Sequence, residues 1–492
     1  MGEKQIIIII GSGFSSLSAA CYLAKEGYKV HIFEKNETIG GRARQFSKQG
    51  FTFDMGPTFY WMPDVIEKFF ADFGKKPSDY YELTRLDPGY SIYFGKDDLV
   101  SLSSDILKIY QSFESIEPGS SIFLKKFLVE AGYNYKVAME DVVYRPGKSP
   151  LELIMPQTAV RLGQFINSLG NVVRKNIKSE KLRQILEFPV LFLGAKPDKT
   201  PSFYRFMNHA DMVLGTWHIK GGMFKLVDAL RLIAEGMGVE IHTSSPVSRI
   251  MVENNYVNGV IVNDIFYPAT FIISGADYHH TELLLDRKYR NYSESYWSKR
   301  VFAPSSLLFY VGFDKILDNI SHHTLFFDTD FKLHSETIYD DPKWPEKPLF
   351  YASFPGKTDN TLCPSGKETG IFLIPIAPGL KDNPETREKY FKQIISRMEN
   401  ITGQKIMESV LFKNSFTVND FIIDYNAYKG NAYGLSNILM QTAFLKPKMQ
   451  NKKIKNLLYT GQLTVPGPGV PTTIISGKIA GNCAKEYFDK TN

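Results

Sequence analysis

Gly11, Gly13 and Ser16 follow an unbroken apolar run, Ile6 to Ile10, and Glu34 closes a second apolar run through Val30, Ile32 and Phe33. A glycine at position 11 lets the chain turn tightly off a strand, and one at position 13 lets the backbone approach a pyrophosphate. A helix opening around Ser15 then presents free N–H groups to the phosphates. Glu34 stands where an acid accepts a hydrogen bond from an adenosine ribose hydroxyl. Ser16 takes the place of the usual third glycine and is small enough for the helix to pack on the strand. The glycine pattern alone is a weak signal. Strand, turn, helix, strand and acid in that order make it a dinucleotide site, and redox is the chemistry such a cofactor supports. No second motif of this kind follows, so no NAD(P) site is predicted.

The elements that would position these residues are spread along the chain. Gly40-Gly41-Arg42-Ala43 comes next, then Gly50 to Asp54, a predicted strand that breaks at Gly56-Pro57-Thr58. Residues 64–215 read as mixed and mostly helical. Lys220-Gly221-Gly222-Met223 reads as a hinge before an amphipathic helix carrying Leu226, Leu230 and Ile233. Short strands follow at Val239–His242, Val247–Glu253, Tyr256–Asn263, Ile265–Tyr267 and Phe271–Ser274, with Asn254-Asn255 as a hairpin turn. Residues 290–450 interleave strands and helices. A last strand, Leu457–Thr460, leads into the loop Gly461 to Pro471 and a helix over Pro471–Tyr487. We therefore expect an α/β fold with a cofactor domain in three pieces (1–75, 215–290 and 453–492) and a mixed α+β substrate domain inserted between them (76–214 and 291–452).

The 492 residues exceed one ordinary core, and 43% apolar with 22% charged content is that of a folded chain. A net charge of +6 without basic blocks gives no reason to expect nucleic acid. Three scattered cysteines argue for a reducing compartment, no disulfide framework and no metal site. The pairs His279-His280 and His322-His323 fit poorly as joint ligands, because neighbours on a helix point apart. Capping by Asp277 and ordinary polar surface are the expected roles. The N-terminal apolar run reads as a cofactor strand and not as a signal peptide. No run of about 18 apolar residues exists to span a membrane. The stretch Leu151–Lys181 mixes Leu, Ile and Val with Arg and Lys, and is either a core-facing helix or one lying on a membrane surface.

Taken together, these motifs resemble the FAD-dependent carotenoid desaturases of the bacterial phytoene desaturase type. The resemblance also rests on Gly215-Thr-Trp217, Ser274-Gly-Ala-Asp277, Tyr428-Lys-Gly430-Asn-Ala-Tyr-Gly434 and Ser476-Gly477-Lys478, and covers essentially the whole chain. It implies non-covalent FAD in a Rossmann-like domain of glutathione-reductase type, and a long apolar substrate tunnel. It places Gly11, Gly13, Ser15 and Ser16 on the pyrophosphate, Glu34 on the ribose, and Gly41 and Arg42 near the phosphates. Val247 would meet the adenine through its backbone, with Gly461, Val470 and Pro471 by the flavin ring and ribityl chain. Lys35, Gly56, Pro57, Thr58, Gln462 and Gly469 complete the implied cofactor set.

The implied reaction is stepwise desaturation of phytoene toward lycopene, by hydride transfer to flavin N5 with proton loss from the neighbouring carbon. The alternatives are a hydroxycarotenoid 3,4-desaturase or a carotenoid isomerase. Quinone or oxygen would accept the electrons, and contact with the inner face of the cell membrane would be peripheral (monotopic). Leu463 and Val465 stand where the family loop carries a glycine and a histidine, so no loop histidine is available as acid or base. No catalytic base is assigned, and the delocalised cation expected in such a reaction needs no strong one.

Overall fold

The computed structural model describes residues 5–491 apart from 141, 154–161 and 192–193. Its organising layer is a five-stranded parallel sheet. The strands are β1 (Ile6–Ile10), β2 (Lys29–Phe33), β3 (Glu240–His242), β4 (Phe271–Ser274) and β5 (Leu457–Tyr459), in the order β5-β4-β1-β2-β3. A parallel sheet covered on both faces needs continuous apolar strands, and the isoleucines of β1 supply the central one. Before β4, the predicted meander forms as Val247–Glu253, Tyr256–Val262 and Ile265–Pro268. Asn254 and Asn255 both take positive φ, as a tight hairpin of this hand requires. A second such turn, Asn263-Asp264, joins the last two strands.

Three helices matter most for the site: α1 (Phe14–Lys25), α2 (Phe224–Gly236) and α3 (Val470–Thr491). α1 and α3 cross closely because small residues face one another. A Cβ on Gly477 would collide with the carbonyl oxygen of Ser15, and one on Gly481 would sit 3.1 Å from the Tyr22 Cβ. The Ser18 hydroxyl donates to the carbonyl of Ile474 at 2.7 Å across the same seam. The N-terminus of α2 is held by the buried carboxylate of Asp54, which accepts from the N–H groups of Met223 (2.7 Å) and Phe224 (3.3 Å). Burial raises the Asp54 pKa to about 6, against the opposing pull of these donors. Gly222 is required where it stands, since a Cβ there would come within 2.7 Å of that carboxylate. The expected hinge is thus a turn docked onto the strand Phe51–Asp54.

A second, seven-stranded sheet takes strands from 90–102, 305–376 and 410–416. The pair Tyr90–Gly95 and Asp98–Leu102 lies inside the region expected to be mostly helical. Its turn carries Asp97 at positive φ, a short polar signal the helical reading passed over. The stretch Leu151–Lys181 is not one helix among the described residues. It breaks into a 3-10 turn (Pro150–Leu153), Leu162–Ile166 and Leu169–Asn176, the last capped by the Ser168 hydroxyl. Ile154 and Arg161, part of the apolar and basic pattern of that stretch, lie outside the described residues.

The α1–α3 seam yields a direct check. Gly477→Ala should destabilise the protein by about 1–3 kcal/mol, the cost of overpacking a close contact. Gly236→Ala, at the open end of α2 with nothing within 4 Å of its Cβ, should be neutral or mildly stabilising. Thermal melts of the two variants decide whether the seam is as tight as described.

Candidate active site

The ends of β1, β2 and β4 and the N-termini of α1 and α3 open onto one cavity of about 960 Å³. Gly11 leaves β1 at positive φ, and its N–H donates to the Phe33 carbonyl at 2.8 Å. Gly13 caps α1 with open space above it, and Gly41 closes over it so that a Cβ on Gly41 would meet the Gly13 Cα at 3.4 Å. Both sides of this cradle are therefore backbone, which a phosphate can approach.

Glu34 is buried and firmly placed. One carboxylate oxygen accepts from the N–H (2.9 Å) and hydroxyl (2.7 Å) of Ser12, and the other from the N–H of Asn36 (2.9 Å). Ser12 was not singled out from the sequence, although it lies between the two motif glycines. It locks the acid's orientation before any ligand arrives.

Arg42 gathers the remaining motifs. Its guanidinium is buried, stacks over the Tyr425 ring at 5.2 Å, and donates to the Asn431 carbonyl at 3.3 Å. Burial lowers its pKa, while the nearby Asp277 carboxylate opposes that. Asp277 itself caps the helix Tyr278–Leu283 through the His280 N–H, as expected. Gln462, with its amide oxygen toward Gly434, also accepts from Arg42 at 3.2 Å. The motifs at 42, 277, 428–434 and 461–462 thus converge on one cation.

Of the sequence-assigned residues, Lys35, Val247, Gly56, Pro57 and Thr58 line this same cavity, as do Ser15, Gly461, Gly469, Val470 and Pro471. Gly56 is needed because a Cβ there would strike the Arg42 carbonyl oxygen. Ser16 is the exception. It is fully buried behind α1 and packs on Gly275, so it serves helix–sheet contact and does not reach the cradle. Leu463 and Val465 are both buried, and Val465 lines the cavity as an apolar wall.

His322 and His323 are not surface residues. Both are buried, and burial holds both imidazoles well below their ordinary pKa, so they are neutral. His323 Nδ1 shares a 2.7 Å hydrogen bond with the Tyr351 hydroxyl, which meets Thr58 Oγ1 at 2.8 Å on the cavity wall. Phe59 stacks on the His323 ring at 4.0 Å. This chain, drawn from three distant segments, had no sequence signal.

Lys446 is another residue the sequence did not reveal. It is buried against Gly467 of the 461–471 loop, and its ammonium has no partner among the described residues. Arg42 Nε is likewise buried and unpaired among them. The unmatched Arg42 donor, beside the backbone cradle, suits an anionic cofactor; Lys446 does not line the cavity.

Comparison with known proteins agrees with this geometry. Residues 14–483 match the model of the flavin-containing amine oxidoreductase family. The chain belongs to that family, among its FAD-dependent carotenoid desaturases. It is 38% identical over 478 residues to a carotenoid 3,4-desaturase of Haloarcula japonica, covering 96% of each chain. It is 33% identical over 499 residues to a 4,4'-diapophytoene desaturase (4,4'-diaponeurosporene-forming) of Staphylococcus haemolyticus, covering 98% of this chain and 99% of that one. Among solved structures, cyclohexylamine oxidase of Brevibacterium oxydans shares the fold at TM-score 0.61 and 15% identity, with 99% of each chain covered.

The cofactor of this enzyme is FAD. When bound, FAD supplies a two-electron acceptor for a hydride leaving a carbon–hydrogen bond. The residues here do the holding. Gly11, Gly13 and the first turn of α1 would take the pyrophosphate, Glu34 the ribose, and the 461–471 loop with the first turn of α3 the flavin end. The N-terminal partial positive charge of α3 faces the cavity there, where it favours negative charge.

Two measurements test this arrangement. Glu34→Ala removes an ionised acceptor worth about 1.5–3 kcal/mol, so FAD affinity should fall roughly 10–100-fold in a flavin fluorescence titration. An unchanged affinity would remove Glu34 from the site. Burial also lowers the Lys446 pKa from 10.5 to about 7. The unfolded chain therefore holds the extra proton between pH 7 and 10.5, and stability rises with pH across that window. Lys446→Met should melt higher than the parent below pH 7, by about 1–3 kcal/mol, with the gap closing toward pH 10.5.

Proposed function

We propose that this enzyme desaturates phytoene, a C40 acyclic polyene, stepwise toward lycopene. The observation that carries the reading is the continuity of the cavity. The space that begins at the Gly11–Gly13 cradle runs on, past the 461–471 loop, between Phe188, Phe327, Leu349 and Met207. A hydrocarbon offers no hydrogen bonds, so its affinity comes from apolar burial at about 25 cal/mol per Å². Val465 in place of a loop histidine keeps that wall apolar. Its relatives' printed activities, carotenoid 3,4-desaturation and diapophytoene desaturation, fall in the same reaction class.

A second reading, 3,4-desaturation of a hydroxylated carotenoid, draws on the 38% identical relative and on one polar spot in the cavity. There the Tyr204 hydroxyl is hydrogen-bonded to Thr442, and both line the space. A tertiary hydroxyl on the substrate would find partners at that spot.

The substrate would be drawn from a membrane by peripheral contact at the inner face of the cell membrane. Ile166 and Met440 support this: they are 82% and 67% exposed, and their neighbours Phe165 and Leu439 line the cavity. No helix among the described residues is long and apolar enough to cross a membrane.

FAD-loaded protein should convert phytoene in liposomes, with quinone or oxygen as acceptor, to a product with a structured visible absorption band. The band's position counts the double bonds added. Conversion of a 1-hydroxy acyclic carotenoid with phytoene untouched would replace the first reading by the second. Ile166→Glu with Met440→Glu should lower co-sedimentation with liposomes roughly tenfold or more, since each residue loses about 1.5–3 kcal/mol of apolar burial. Turnover of detergent-dispersed substrate should remain. Unchanged sedimentation would remove this face from the membrane contact.

A further inference from the structure

We propose that His31, Glu240 and His242 form a binding site for one divalent transition ion, of the zinc class, at the outer edge of the cofactor sheet. The ion would clasp β3 to β2. The two strands pair in parallel, with His31 opposite Glu240 and Phe33 opposite His242. The two-residue repeat of a strand then sets His31, Glu240 and His242 on one face.

Three atoms define the site: His31 Nδ1, Glu240 Oε2 and His242 Nε2. They stand 3.3 Å (His31 to Glu240), 3.4 Å (His31 to His242) and 3.8 Å (His242 to Glu240) apart. A tetrahedral zinc ion with bonds of about 2.0–2.1 Å sets its ligand atoms about 3.3–3.4 Å from one another. The trio is already close to one triangular face of such a site, with the fourth vertex left for water.

A plain hydrogen-bond network accounts for this less well. One Nδ1–H cannot serve the Glu240 oxygen and the His242 nitrogen together, whereas one ion satisfies all three atoms. The surroundings also suit an ion. Lys29 lies 3.7 Å from the other carboxylate oxygen, Oε1, and leaves Oε2 free. Phe33 stacks on the His242 ring at 4.9 Å and 18°, which fixes its plane. Both histidines are half-buried and Glu240 is exposed, which gives an ion an open approach. Two imidazoles with one carboxylate favour zinc, cobalt, nickel or copper over magnesium and calcium.

The site would act on the cofactor pocket through the backbone. The His242 carbonyl accepts the N–H of Glu34 at 2.8 Å, so β3 helps hold the strand end that presents the ribose acid. β3 is an edge strand of three residues with pairing on one side only, which makes a clasp there consequential. The sequence argument against a metal looked at cysteine spacing and adjacent histidines. This trio escaped it because some two hundred residues separate His31 from Glu240 and His242.

The test uses tag-free, FAD-loaded protein titrated with Zn²⁺ by calorimetry in a non-chelating buffer, with bound metal counted after dialysis. One ion per chain at micromolar affinity is expected, with a higher thermal midpoint and no competition from Mg²⁺. Glu240→Gln and the double variant His31→Gln/His242→Gln should each lose at least tenfold in affinity, and the midpoint shift with it. His279→Gln, in the other half-buried histidine pair, should lose neither. Flavin absorbance reports that each variant still folds, and Glu240 is exposed enough for its variant to do so. Absence of Zn²⁺ binding by the parent, or full affinity in the double variant, overturns the proposal.

Discussion

The close crossing of α1 and α3 is the contact on which the rest of the active site depends. Gly477 brings α3 against the Ser15 carbonyl, and Ser18 bonds across to Ile474. The two helices come from opposite ends of the chain, and both start at the cavity. Holding them together fixes the distance between a phosphate-facing helix terminus and a flavin-facing one. A larger residue at 477 would separate the two halves of the cofactor site before it disturbed either one alone.

Carboxylates do the finer positioning, and each is matched to hydrogen-bond donors. Glu34 is held by Ser12 and Asn36, Asp54 by the first N–H groups of α2, and Asp277 by the helix it caps. Unpaired, each would carry the full cost of a buried polar group. Paired, Glu34 and Asp54 each tie a loop or strand end to an element from elsewhere in the chain, and Asp277 fixes the start of its own helix. On the cavity wall Arg42 is left with an unmatched donor, Nε, which an anionic cofactor would complete.

Much of the cofactor site was legible in the sequence because its chemistry is local. Gly11, Gly13 and Glu34 belong to one strand–helix–strand unit, and the meander strand Val247–Glu253 and the sheet strand Phe271–Ser274 formed at the residues expected. Ser16 packs on Gly275 as its small size led one to expect, while the side on which its hydroxyl lies was not legible from the motif. His322 and His323 were taken for surface because polarity alone does not report burial. The hairpin at 90–102 was missed because its one local signal is a short polar turn at Asp97, and the sheet it joins, through His323–Phe326, lies over two hundred residues away.

The sequence by itself determined a dinucleotide site and the strands of its cofactor sheet, since these follow from periodicity, glycine placement and the order of segments; that the dinucleotide is FAD was implied by the resemblance of the motifs to a known family. Only the tertiary structure decided which groups meet across the chain. The Thr58–Tyr351–His323 chain, the buried Lys446, the continuity of the cavity and the His31–Glu240–His242 trio all join residues from distant segments. Contacts of that kind are set by how sheets and helices pack in three dimensions, and a one-dimensional pattern does not encode them.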